Sequence, residues 1–273
     1  PPTPEPEGYT LREDLRRAAA HRPYLLLNLA FFVCGFHVTF IATHLPSYVS
    51  DLGISERAGA TALSLIGLFN IVGSLTAGAL GGRYSKTKLL SLIYGLRAVF
   101  IAVYLLVPAS AASTIVFGAT FGLLWLSTVP LTGGIVTAQF GPRNSGALFG
   151  VVFLSHQLGA FVGVWLGGEL ADATGSYQVV WLIAMALGVM AAVVHLLIDE
   201  GPAPAPPAPA GGSVRLAPGG AVAALLLVVG VGALTTTTTA EMAGAVQASG
   251  DVGRAVESDQ GVDGTLFCPL HPG

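Results

Sequence analysis

Two polar residues interrupt the apolar stretch "LFGVVFLSHQLGAFVGVWLGG", residues 148–168: His156 and Gln157. An imidazole takes up and releases a proton near neutrality, its unperturbed pKa being about 6.5, and a carboxamide both donates and accepts hydrogen bonds. The pair suits proton handling or contact with a polar solute. Similar apolar runs hold His37 and His44, Asn70, Arg97, Thr128 and Thr132, with Trp125 close by. In hydrocarbon such groups are costly, and they normally face a bundle interior or a wet cavity. No Asp or Glu accompanies them in those runs. HExxH, GxSxG, GxxxxGKS/T and CxxC patterns are all missing, so no enzyme, metal site or cofactor is expected.

The elements that position these residues follow from composition. Of 273 residues, 53% are hydrophobic and 10% charged, against about 25% charged in ordinary globular domains. That composition points to an integral membrane protein, and a net charge of −3 gives no sign of nucleic-acid binding. Cys34 lies in an apolar run and Cys268 in a polar tail, so no disulfide is expected. A helical span needs about 20 apolar residues. Six segments qualify, at 24–46, 58–80, 89–108, 112–138, 146–168 and 178–198. They are too long and too uniformly apolar for barrel strands. Short loops make consecutive helices antiparallel neighbours.

Lys and Arg fall mainly on one side. Arg12, Arg16, Arg17 and Arg22 precede the first span, Arg83, Lys86 and Lys88 follow the second, and Arg143 follows the fourth. The other side has Arg57 beside Asp51 and Glu56, then Glu169 and Asp172. The positive-inside bias places the N-terminus and the segment after 198 in the cytoplasm. Ten arginines against two lysines, with much Ala, Gly and Pro, suit a bacterial plasma membrane protein.

Spacing sorts the polar residues further. His37 and His44, roughly 20 and 30 Å along the first span, share a face. His37 is either a cavity residue or a packed histidine bonded to a carbonyl; His44 is interfacial. Ser64, Gly67, Asn70, Ser74 and Gly78 form a small-residue stripe on the second span, which favours close helix packing. Asn70 either contacts substrate or bonds another helix. Arg97 lies roughly 13 Å into the third span, where it marks a site or bonds carbonyls in a structural role. Pro130, with Gly133 and Gly134, predicts a bend in the fourth span, and Trp125 offers a flat wall or mere packing. Gly159, Gly163 and Gly167 repeat every four residues and mark a tightly packed face. His156 flanks that face, and Gln157 is turned about 100° away from it.

Residues 199–219, beginning "DEGPAPAPPAPAGGS", read as a Pro/Ala linker. Residues 220–273 form a tail with one 14-residue apolar run, "AVAALLLVVGVGAL", short for a span. Residues 1–23 read as a loop leading into the 24–198 bundle.

"GALGGRYSKTK", Gly78 to Lys88, resembles the cytoplasmic signature loop of the major facilitator superfamily, Gly-x-Leu-x-Asp-Arg-x-Gly-Arg/Lys-x-Arg/Lys. Gly78, Leu80, Arg83, Lys86 and Lys88 match; Gly82 stands where the family has an acid, and Ser85 where it has its second glycine. "GGELADATGSY", residues 167–177, is similar to an element before the family's last helix. The resemblance covers residues 8–198 and implies an all-α bundle corresponding to helices 7–12 of a twelve-helix fold. It also implies a missing N-terminal six-helix half as partner, beside the lipid bilayer and a small-molecule substrate. In that fold substrate sits at the midplane between rocking halves. "CGFHVTFIATHLP" and "GLLWLSTVPLTGG" look like bacterial relatives of monocarboxylate and oxalate/formate carriers. Those carriers often place an arginine in the second span of this half; none occurs here. Their fifth span lines the cavity, which makes His156 the expected substrate or proton contact, while the third span is peripheral. Arg83, Lys86 and Lys88 are expected as a cytoplasmic latch or as topology determinants. The expectation is thus a secondary transporter of a small organic solute, with a carboxylate taken with protons as one such solute. The alternative is a self-standing six-helix protein or non-functional fragment that serves, if at all, as a binding or regulatory subunit.

Overall fold

The structure, a computed structural model, describes residues 9–205. Most of the expected linker and the tail with its apolar run lie outside the described residues. Within them run α1 (Leu11–Ala20), α2 (Arg22–Asp51), α3 (Glu56–Gly81), α4 (Lys86–Leu106), α5 (Ala111–Leu124), α6 (Thr128–Phe140), α7 (Ser145–Thr174) and α8 (Gln178–Leu196). No strand occurs among the described residues. Among the described residues six helical stretches are long and apolar enough to cross a membrane, α5 and α6 counting as one. The first span does not stop at Pro46 but continues to Asp51.

The lead-in carries a helix of its own. Thr10 and Glu13 cap α1 reciprocally, the Thr10 N–H donating to Glu13 Oε2 at 2.8 Å and the Glu13 N–H to Thr10 Oγ1 at 3.4 Å. At the far end of α7 the chain turns at Gly175, whose φ of +67° suits a residue without a Cβ.

α2 is the central element, packed against α7 and α8, while α3 rests on α5 and α4 on α8. Two apolar clusters stack along it. One gathers Leu27, Phe31, Leu90, Ile135 and Val152; the other gathers Phe40, Ile41, Ile101, Phe117 and Trp181. The outward faces of α3 and α7 stay apolar, with Leu68, Leu75, Leu154 and Trp165 exposed. Lipid is as apolar as leucine, so helix association here rests on close packing and hydrogen bonds.

Candidate functional site

The boundary between the two clusters is polar in four helices at once. Cys34 and His37 lie on it in α2, Arg97 in α4, Thr128 at the start of α6 and His156 in α7, all buried. The Cys34 thiol lies 3.2 Å from Thr128 Oγ1 and 3.8 Å from Arg97 Nη2, and it also faces His156. Among the described residues no carboxylate pairs with Arg97. Its Nη2 donates instead to the carbonyls of Leu124, at 2.7 Å, and Trp125. Those carbonyls end α5, where the helix dipole concentrates partial negative charge. Burying a guanidinium costs several kcal/mol; charge-assisted hydrogen bonds to a helix end offset part of that. The Tyr94 and Phe121 rings flank the cation at 5.1 and 5.8 Å.

His156 is enclosed by aromatic rings. It stacks on Phe153 with centroids 5.0 Å apart and planes 6° from parallel, and Phe31 closes the other side at 5.2 Å. Nδ1 lies 3.1 Å from Gln157 Oε1, so Nδ1–H donates to the amide oxygen. Gln157 is exposed, whereas His156 is buried. The Gln157 oxygen is thereby engaged, and the same amide carries two N–H donors. Half-buried Asn70 repeats the arrangement, its Oδ1 accepting from the Leu126 N–H at 2.9 Å and from Ser74 Oγ at 3.1 Å.

The remaining residues singled out in the sequence sit in the interior. His37 is fully buried between α2 and α8, its Nε2 2.7 Å from the Ala184 carbonyl. His44 Nε2 meets the Val164 carbonyl at 2.9 Å. Trp125 packs edge-on against Phe121 at 5.9 Å, and its contribution to the polar layer is a carbonyl. Asn70 and Gln157 therefore reach the surface of the bundle, while His37, Trp125 and His156 lie behind it.

The glycine face of α7 closes on α2. A Cβ on Gly159 would fall 1.9 Å from the Phe32 carbonyl oxygen, one on Gly163 2.7 Å from that of Phe36, and one on Gly167 2.6 Å from the His44 ring. Gly78, on α3, stands opposite Pro130 of α6.

In the 78–88 loop, Arg83 and Lys88 are exposed, and the Lys88 N–H donates to the capping Ser85 Oγ at 3.3 Å. A carboxylate reaches this loop from a distant part of the chain. Glu200, two residues beyond Ile198, accepts from Ser85 Oγ at 2.6 Å, the Thr87 N–H at 2.9 Å and Thr87 Oγ1 at 3.0 Å, with Lys86 Nζ at 4.0 Å. The start of the expected linker is thus bound to the bundle, because a carboxylate there caps the N-terminus of α4. Burial raises the Glu200 carboxyl, but the bonds from Ser85 and Thr87, with Lys86 nearby, outweigh it and hold the group below its ordinary value. The sign follows: this stabilisation is full above the ordinary carboxyl range and is lost as pH falls through the lowered value. Glu200→Gln should cost about 1 kcal/mol, at the low end because solvent screens the site. Faster amide exchange at Thr87, with the spans unchanged, is the expected reading.

Residues 27–250 match the family model of the Major Facilitator Superfamily. The chain is 28% identical over 178 residues to an uncharacterized MFS-type transporter, YcxA, of Bacillus subtilis, which covers 63% of this chain and 43% of that relative. It is 26% identical to monocarboxylate transporter 13 of Bos taurus, over 68% of this chain and 45% of the relative. A solved peptide transporter, crystallised with alafosfalin, superposes with a TM-score of 0.52 at 19% identity, over 79% of this chain and 45% of that one; this likeness concerns the fold. The chain belongs to the major facilitator superfamily, and its six spans form one half of that fold. It is an integral membrane protein. It spans less than half the length of these curated relatives.

Proposed function

We propose that this chain is the C-terminal half of a secondary transporter for a small organic anion, a monocarboxylate by preference, working by alternating access with an N-terminal six-helix half. The N-terminus lies in the cytoplasm, as the placement of Arg12, Arg16, Arg17, Arg22, Arg83, Lys86, Lys88 and Arg143 favours. The observation that carries this reading is the couple of exposed Gln157 and buried His156, about 17 Å into α7. Gln157 offers N–H donors to an acceptor-rich solute. His156, hydrogen-bonded behind it, takes the proton that balances an anionic charge. Asn70 adds a second amide donor from α3. The named monocarboxylate transporters among the relatives support the substrate class.

The test uses the full-length protein, including the N-terminal half, in liposomes given radiolabelled lactate or pyruvate. Uptake should rise as external pH is lowered from about 8 to about 5.5, across the imidazole range. His156→Ala should cut uptake roughly tenfold, the loss of one charged hydrogen-bond partner, and flatten the pH profile. A His156→Ala protein with unchanged uptake at every pH removes His156 from the pathway. Wild-type protein that takes up neither acid removes the substrate class.

A further inference from the structure

The fourth span is interrupted for three residues, Trp125 to Ser127, between α5 and α6. Pro130 has no N–H to donate to the Leu126 carbonyl four residues earlier, and that carbonyl lies inside the interruption, so the bend expected around Pro130, Gly133 and Gly134 falls just ahead of the proline.

An interrupted helix exposes backbone groups that must be bonded inside a membrane. Here partners come from α4, from α3 and from the span itself. The carbonyls of Leu124 and Trp125 accept from Arg97 Nη2 of α4. The Leu126 N–H donates to Asn70 Oδ1 of α3. Ser127 Oγ donates to the Leu123 carbonyl at 2.6 Å, and Thr128 Oγ1 meets Cys34 of α2. Gly73 lets α3 come this near, since a Cβ there would lie 1.9 Å from the Leu123 oxygen. Arg97 also keeps donors in reserve. Its Nε and Nη1 are buried without a hydrogen-bond partner, in a side chain that is 0% exposed.

We propose that Arg97 is a positioning residue that holds the α5–α6 break as a two-position joint, with Asn70 as the opposite pin. Turning α6 against α5 changes which carbonyls of the break point towards α4. A planar guanidinium with two idle nitrogens can take up the new carbonyls as it releases the old, so the cation stays bonded throughout. A lysine ammonium in its place has a single nitrogen and no such fork. The same carboxamide that pins the Leu126 N–H also carries two N–H donors, so a solute acceptor bound at Asn70 pulls directly on the joint. The joint stands on its own geometry; its use as a gate rests on the transporter reading.

The experiment is amide hydrogen exchange by mass spectrometry on the full-length protein in lipid nanodiscs, comparing wild type, Arg97→Lys, Arg97→Gln and Asn70→Ala. Exchange in residues 124–131 should rise about tenfold in Arg97→Gln and Asn70→Ala, with Arg97→Lys between wild type and Arg97→Gln and with residues 148–168 unchanged. A uniform rise across all six spans, or no change in 124–131, overturns the proposal. If Arg97→Gln does not fold, Arg97→Lys and Asn70→Ala carry the same test. Uptake of lactate and pyruvate by the same wild-type preparation is scored separately. Its failure removes the transporter reading and leaves the joint to be judged on exchange alone.

Discussion

Gly159→Val should unseat α7 from α2 and cost about 3 kcal/mol or more of stability. The first side-chain carbon would meet the Phe32 carbonyl oxygen at 1.9 Å, the Phe32 carbonyl carbon at 2.8 Å and the Phe36 nitrogen at 3.1 Å. All three are backbone atoms, so no rotamer change makes room. The contact is reciprocal: a Cβ on Gly35 would fall 1.8 Å from the His156 oxygen. Relief requires the helices to part, which loosens Gly163 against Phe36 and the packing of His156 between Phe31 and Phe153. Gly168→Val is the control. It lies one residue past the glycine face with nothing within 4 Å of a built Cβ, and should change stability by no more than about 0.5 kcal/mol. Thermal unfolding of the detergent-purified protein, followed by size-exclusion chromatography, distinguishes the two. Equal behaviour would refute the close-packed face.

Arg17→Ala should release both the lead-in helix and the strand of chain after α8, at a cost of about 3 kcal/mol. Arg17 Nη1 donates to Asp14 Oδ1 at 2.6 Å, Nη2 to the Ala203 carbonyl at 2.8 Å and Nε to the Pro204 carbonyl at 3.1 Å, with its carbon 4.2 Å above the Tyr9 ring. Asp14 is 2% exposed. Without the arginine its carboxylate keeps, among the described residues, the Asn144 amide at 2.8 Å. The double variant Asp14→Asn, Arg17→Ala should recover part of the loss, because no buried charge is then stranded. Proteinase K digestion of purified protein is the measurement, with cleavage expected within residues 199–205 in Arg17→Ala before wild type is cut. The same cleavage rate in both would show that Arg17 does not hold that segment.

The six spans were legible because hydrocarbon demands long apolar runs, and each run is bounded by loop residues. Contacts between distant parts of the chain were not legible. The glycine spacing of the fifth span says that some helix comes close; that it is α2, offering Gly35 in return, is a matter of tertiary packing. Glu200 stands in a Pro/Ala-rich segment that reads as a linker, and nothing in its spacing links it to Ser85 and Thr87 more than 100 residues earlier. Pro130 announced a bend, but the residues that interrupt the helix, Trp125 to Ser127, lie ahead of it, around the Leu126 carbonyl that its missing N–H cannot bond. The helical rotation between His156 and Gln157 was readable, but which of them faces outward depended on where α2 lies. Arg97 had two readings from sequence, and the carbonyls that bind it exist only because α5 stops at Leu124.

Arg17 stands before the first span, and the carbonyls it holds belong to Ala203 and Pro204, after the last. The chain therefore enters and leaves the bundle at one spot, on one side of the membrane. A unit with coincident ends is modular in a practical sense. Its spans can be circularly permuted by a short bridge between those ends, and a second copy can be spliced on in tandem without rerouting any loop through lipid.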